Sequence, residues 1–127
     1  MLTKLQKEIH KNTKAKGFYN KEVNISEKLM LIVSELSEAC EALRKNKHAD
    51  IPNFELLQSM NQANHTVKGF DTKSFEHLIK DTFEDELADA VIRILDLAEY
   101  LKIDMQKHID LKMIYNSGRE YLHGKKF

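Results

Sequence analysis

Glu35 and Glu38 stand three residues apart in "SELSEAC", and Glu86 and Asp89 repeat that spacing in "EDELADA". Carboxylates at this separation project from one side of a helix, about one turn apart. Taken singly, either pair is what an ordinary solvated helix face carries. Two pairs facing each other are different, because four negative charges at close quarters need a cation between them. Oxygen-only donors favour a hard ion. Magnesium suits them best, since it binds oxygens octahedrally and keeps waters that a substrate phosphate can replace. A di-iron carboxylate bundle also uses facing acids, but it requires a Glu-x-x-His pair from each of two helices. Only Glu120 and His123 have that spacing here.

A cationic row accompanies the acids. Lys112, Asn116 and Arg119 fall at i, i+4 and i+7, so they share one helix face, with Tyr115 beside them. Lysine offers a point charge, arginine a bidentate fork and asparagine a neutral donor, a reasonable set for a polyphosphate. Alone it reads as a solvated basic face; together with two acidic rows it fits a metal–triphosphate site. Phe18 and Tyr19 are candidates for stacking on a base, although aromatics after a helix more often cap a core. The chain has no Gly-rich phosphate loop ending in Lys-Ser or Lys-Thr, and no cysteine and histidine at a catalytic spacing. Attack by a metal-activated water remains, with Glu35 or Glu38 orienting or deprotonating it.

The elements that must position these residues read as helices. Leu2, Leu5 and Ile9 begin a first helix that "KGFY" ends; Asn24 with Glu27 caps a second. Along that second helix Leu29, Val33, Leu36, Cys40 and Leu43 form an apolar stripe, expected to face the core with Cys40 buried. Leu31, Glu35, Glu38 and Ala42 lie roughly opposite, so the helix is apolar on two sides. Residues 46–74 read as a longer connector in which "IPNFELLQSM" opens a short helix around Pro52 and "NQANHTVKGFDT" is a loop. The longest helical pattern runs from about Ser74 to Lys102, with Leu87, Val91, Ile94, Leu95, Ala98 and Leu101 on its core face and Asp96 expected to pair with Arg93. Asp104 caps a last helix with Met105, Ile109 and Met113 as its stripe, ended by Gly118 and followed by an irregular basic tail holding Lys125 and Lys126. No period-2 stretch supports a sheet. The expectation is an all-α fold, a helical bundle of four main helices.

The two acidic motifs in this order, with "KGF" at 16–18 and "KMIYNSGREYLHGKKF" at 112–127, resemble the MazG-like all-α nucleoside triphosphate pyrophosphohydrolases. The resemblance covers most of the chain and is weakest between 46 and 74. It implies Mg²⁺-dependent hydrolysis of (deoxy)nucleoside triphosphates between the α and β phosphates, giving a monophosphate and pyrophosphate, with Mn²⁺ as a substitute ion. It matches Glu35, Glu38, Glu86 and Asp89 to metal-binding positions, and Lys112, Asn116 and Arg119 to a phosphate-contacting segment. It also implies a homodimer or homotetramer, which a central helix apolar on two sides independently favours. Many members carry a further acid where this chain has Ser34, and the connector is longer than in compact members.

Composition bounds the alternatives. A chain of 127 residues has room for a single domain, 1–127, with one core. Twenty basic residues balance twenty acidic ones, so no global charge points to nucleic acid or an anionic membrane. "LMLIV" is far short of a membrane span, no signal-peptide h-region opens the chain, and the single cysteine excludes an intramolecular disulfide. A cytoplasmic setting is expected. The competing function is a catalytically inactive helical interaction or nucleotide-binding module.

Overall fold

The computed structural model describes residues 1–124; Lys125 and Lys126 lie outside the described residues. Among the described residues the fold is all-helical, with α1 Leu2–Ala15, α2 Ile25–Arg44, α3 Ile51–Ala63, α4 Thr72–Leu78, α5 Phe83–Tyr100 and α6 Met105–Ser117, then a short 3-10 turn at Tyr121–Gly124. None of these helices is long and apolar enough to cross a membrane. The chain forms two compact units: residues 1–23 with 94 onward, and residues 24–93.

Polar groups set the helix boundaries. Asn24, Asp50, Asp71 and Asp104 each accept a hydrogen bond from the backbone N–H three residues on, satisfying a donor that the first turn cannot pair internally. The helix expected from Ser74 to Lys102 is two helices. Between them Asp81 adopts φ +62°, Thr82 donates its hydroxyl to the Ile79 carbonyl at 2.6 Å, and the same oxygen accepts from the Asp85 N–H at 3.3 Å. A left-handed residue followed by a capping hydroxyl ends one helix and starts the next. The connector is more ordered than expected: α3 continues through "NQA" to Ala63, and α4 adds a further helix.

In the 24–93 unit, α3 and α4 pack against each other. Phe54, Phe70 and Phe75 join them, with ring centroids 5.5–6.2 Å apart in tilted and edge-on arrangements. Asp71, 2% exposed, accepts from the Ser74 N–H, the Ser74 hydroxyl and the Asn61 amide. These bonds hold its carboxyl below the usual range. In the other unit α1 packs on α6. Buried Gln6 donates to Ile103 O at 2.8 Å and to Glu99 at 3.1 Å. Asp96 takes the Tyr19 hydroxyl at 2.7 Å and lies 2.8 Å from His10 Nδ1. It therefore pairs there and not with Arg93.

The expected core stripes are corrected. On α2 the buried residues are Ile32, Glu35, Ala39 and Ala42, whereas Leu29, Val33, Leu36, Leu43 and Cys40 are exposed. On α5 Leu95 and Ala98 are buried as expected, but Leu87, Val91, Ile94 and Leu101 are exposed. No residue of α6 is buried, and Met113 is exposed. Apolar periodicity marks a face that has to be covered; on α2 the face that points inward is the opposite one, which carries Glu35 in polar contact with α5.

Phe54→Ala should cost about 3 kcal/mol in urea unfolding, because it empties the centre of the aromatic cluster. Phe70→Ala, at a ring 57% exposed, should cost about 1 kcal/mol or less. Equal losses at the two positions would contradict the packing described.

Candidate metal and phosphate site

The inward face of α2 meets the first turns of α5 through charge. Arg93 donates from Nε to Glu35 Oε1 at 2.7 Å. Glu86 and Asp89 precede Arg93 on α5 by two turns and one turn, so all three project toward α2 from one side. One carboxylate oxygen each from Glu35, Glu86 and Asp89 lies within 4.8 Å of the other two. Glu35 and Glu86 are 8% and 5% exposed, and Asp89 is the more accessible member. Glu38, one turn beyond Glu35, is exposed and lies outside this tight group, yet its carboxyl lowers Glu35 through a hydrogen bond and its charge raises Glu86 and Asp89.

The electrostatics follow from crowding. Burial and hydrogen bonds to Glu35 and Glu38 push Glu86 up to about 7. Asp89 is raised by burial and by the charges of Asp85 and Glu35, against the pull of Arg93. Burial would raise Glu35 too, but the bonds from Arg93, Glu38 and Glu86 outweigh it and hold it below the usual carboxylate range. The cluster therefore titrates as a coupled group, with Glu86 drawn toward its protonated form and Glu35 toward its ionised form. An all-oxygen donor set that must share a proton with itself near neutrality fits a hard divalent cation, which would replace that proton. Glu35, Glu86 and Asp89 are the residues that would hold it, with Glu38 adjacent.

Beside the cluster is a cleft of about 340 Å³ lined by Glu38, Glu41, Lys45, Lys47, Asp81 and Glu86. Both lysines escaped the sequence reading, because a lysine pair after a helix resembles any solvated C-terminus. Arg93 was visible in the same helical sector as Glu86 and Asp89; the sequence did not tell which carboxylate it would choose.

The remaining candidates lie in the other unit. The shared helix face expected for Lys112, Asn116 and Arg119 is corrected: α6 ends at Ser117, so Arg119 lies beyond it, and Lys112 and Arg119 flank the Tyr115 ring, 5.0 and 5.3 Å from its centroid. Asn116 turns Oδ1 inward, where it is buried without a hydrogen-bond partner among the described residues. Phe18 is exposed. Tyr19 stacks on Tyr100 at 5.0 Å, and burial together with the bond to Asp96 pushes its hydroxyl above the usual range.

Since Glu86 is raised above its unfolded value of 4.5, the folded chain holds an extra proton between about pH 4.5 and about pH 7, and stability falls as pH rises through that window. Asp89 acts in the same direction, whereas the lowered Glu35 loses its contribution only at more acid pH. Thermal melts in chelator should therefore drop by several degrees from about pH 5 to about pH 7.5. Magnesium should restore more at the higher pH, and Glu86→Gln should flatten the profile. Melts equally insensitive to pH and magnesium would contradict the cluster. Compared with family models, curated proteins and solved structures, the chain matches none of them, so what this site can do follows from its own residues.

Proposed function

We propose that the protein is a Mg²⁺-dependent nucleoside triphosphate pyrophosphohydrolase of the MazG-like all-α type, with α1, α2, α5 and α6 as its main helices and α3 and α4 in the connector. The observation that carries the reading is the approach of Glu35, Glu86 and Asp89 carboxylate oxygens within 4.8 Å, from two helices. A bound magnesium supplies positive charge to phosphoryl oxygens and acidifies a water. Glu35, Glu86 and Asp89 anchor the ion, and Arg93 keeps Glu35 ionised and oriented. Glu35 Oε1 is engaged by Arg93 at 2.7 Å. That leaves the exposed Glu38 as the better placed of the two glutamates to orient the attacking water and accept its proton. Lys112, Asn116 and Arg119 enter the proposal as phosphate contacts through the resemblance of their segment. Attack at the α phosphorus expels pyrophosphate.

One observation favours the rival reading. The Arg93–Glu35 bond is also what a purely structural acid network would contain, as in an inactive helical interaction module. Turnover separates the two. The protein with magnesium and a panel of nucleoside triphosphates in ¹⁸O-water should release pyrophosphate and put label in the monophosphate. Glu38→Gln and Asp89→Asn should each lower the rate by about 100-fold or more, since even outer partners of a metal site are worth about 10- to 100-fold. Arg119→Ala and Lys112→Ala should raise KM. Label in orthophosphate, or near-normal turnover in both carboxylate variants, would overturn the assignment.

Self-association as a homodimer or homotetramer belongs to the same proposal. Leu29, Val33, Leu36 and Leu43 on α2, and Leu87 and Val91 on α5, leave more apolar surface exposed than a monomer ordinarily does. Sedimentation at micromolar concentration should show a dimer or tetramer, and Leu36→Glu with Val33→Glu should shift it toward monomer. A wild-type chain that sediments only as monomer would remove this part.

A further inference from the structure

Four lysines share one ridge of α1. Lys4, Lys7, Lys11 and Lys14 follow one another at intervals of three, four and three residues, which places them within one narrow arc of the helix. All four are exposed, and the arc lies away from the inward side of α1, where Gln6 is buried. None of the four makes an ion pair among the described residues. Glu8, the one acid of α1, stands at the edge of the arc. Glu99 and Asp104 line a cavity with Lys7, but the Gln6 amide and the Lys107 N–H engage them. A solvated helix face mixes both signs; here the signs are sorted. Residues 1–23 hold six lysines against Glu8 and Glu22. The unit of residues 1–23 and 94 onward has twelve basic and seven acidic residues, whereas 24–93 has eight and thirteen. A chain with no net charge keeps its basic excess on one unit, and on α1 that excess forms a line.

A line of point charges selects a line of opposite charges. From Lys4 to Lys14 the helix rises about 15 Å. One strand of B-form DNA carries a phosphate about every 3.4 Å of axis, so about four phosphates pass along that length, one for each lysine. We infer that the outer ridge of α1 is a docking surface for the phosphate backbone of double-stranded DNA. Other partners fit the ridge less well. Protein interfaces are poor in lysine and rich in aromatic anchors, and the arc holds no large apolar side chain; Leu5, exposed on α1, stands off it. Helices that bind an anionic bilayer sink an apolar face into it, but Leu2 and Ile9 are half-buried on the inward side of α1. No arginine, asparagine or glutamine lies among the lysines to fork onto a base edge, so the contact carries no sequence preference. No aromatic ring stands on the arc to stack on bases, which sets duplex above single strand. The inference does not rest on the hydrolase reading.

The test is fluorescence anisotropy with a labelled DNA duplex in chelator, which keeps metal at the carboxylates out of the result, over a series of salt concentrations. With four phosphates neutralised, the logarithm of the binding constant should fall against that of salt with a slope of about −3.6, a loss of about 100-fold between about 50 and about 200 mM. Lys7→Gln with Lys11→Gln should bring the slope to about −1.8 and weaken low-salt binding by about tenfold or more. Lys4→Gln with Lys14→Gln should do the same, and duplexes of different sequence should bind alike. Lys68→Gln with Lys73→Gln, outside the ridge, should change neither slope nor affinity, and thermal melts check that every variant is folded. A wild-type chain that binds no duplex at about 20 mM salt overturns the inference. So does a slope unmoved in both ridge pairs, or an equal loss in the pair outside the ridge. Tighter binding to a single strand of the same length, or to phosphatidylserine vesicles at a salt concentration that releases the duplex, overturns it as well.

Discussion

The bond from Arg93 to Glu35 is the interaction on which the 24–93 unit depends. It joins α2 to α5 in the middle of four acids, and without it burial of Glu35 would leave an uncompensated charge inside the protein. Breaking such a pair is expensive because the surviving charge stays desolvated, even where the intact pair contributes little net stability. The pair lies on the face of α2 that points inward. Ala39 and Ala42 are small and buried on that face, while the larger Leu29, Val33, Leu36 and Leu43 point outward.

One guanidinium does not neutralise the cluster. Crowding pushes Glu86 up to about 7 and displaces Asp89 in the same direction. The adjacent cleft repeats that pattern with Lys45 and Lys47 set against more acids than they can balance. A purely structural ion-pair network would be expected to approach balance among its own members. Among the described residues, this one has fewer cations than acids on the side that opens to solvent.

Much of this was legible in the residues. The i, i+3 spacing of Glu35 with Glu38 and of Glu86 with Asp89 located the acids, and Asn24 and Asp104 located two helix starts, because these are local rules that act within one turn. The sequence was misleading where a choice is made across the fold. Asp96 is engaged by His10 and Tyr19, and Glu35 by Arg93, pairings between residues far apart in the sequence. The stripe on α2 reads as core because periodicity reports that a face is apolar, not which chain covers it. The break at Asp81 and Thr82 was missed because neither residue is a glycine or a proline, although a hydroxyl three residues before Asp85 is a usable capping signal. Asp71 and Asp50 carry the same signal before α4 and α3.

The ring contacts of Phe54, Phe70 and Phe75 have a kinetic side. They close a short stretch of chain, whereas Glu35 and Arg93 are 58 residues apart. Loop-closure entropy rises with that separation, and contacts near in sequence form sooner. The connector hairpin can therefore consolidate while α2 and α5 are still apart, and the crowded carboxylates meet only after a scaffold exists to hold them. Mutual repulsion among the acids then burdens the final docking step and spares the early collapse. Ions present during folding would act on that last step.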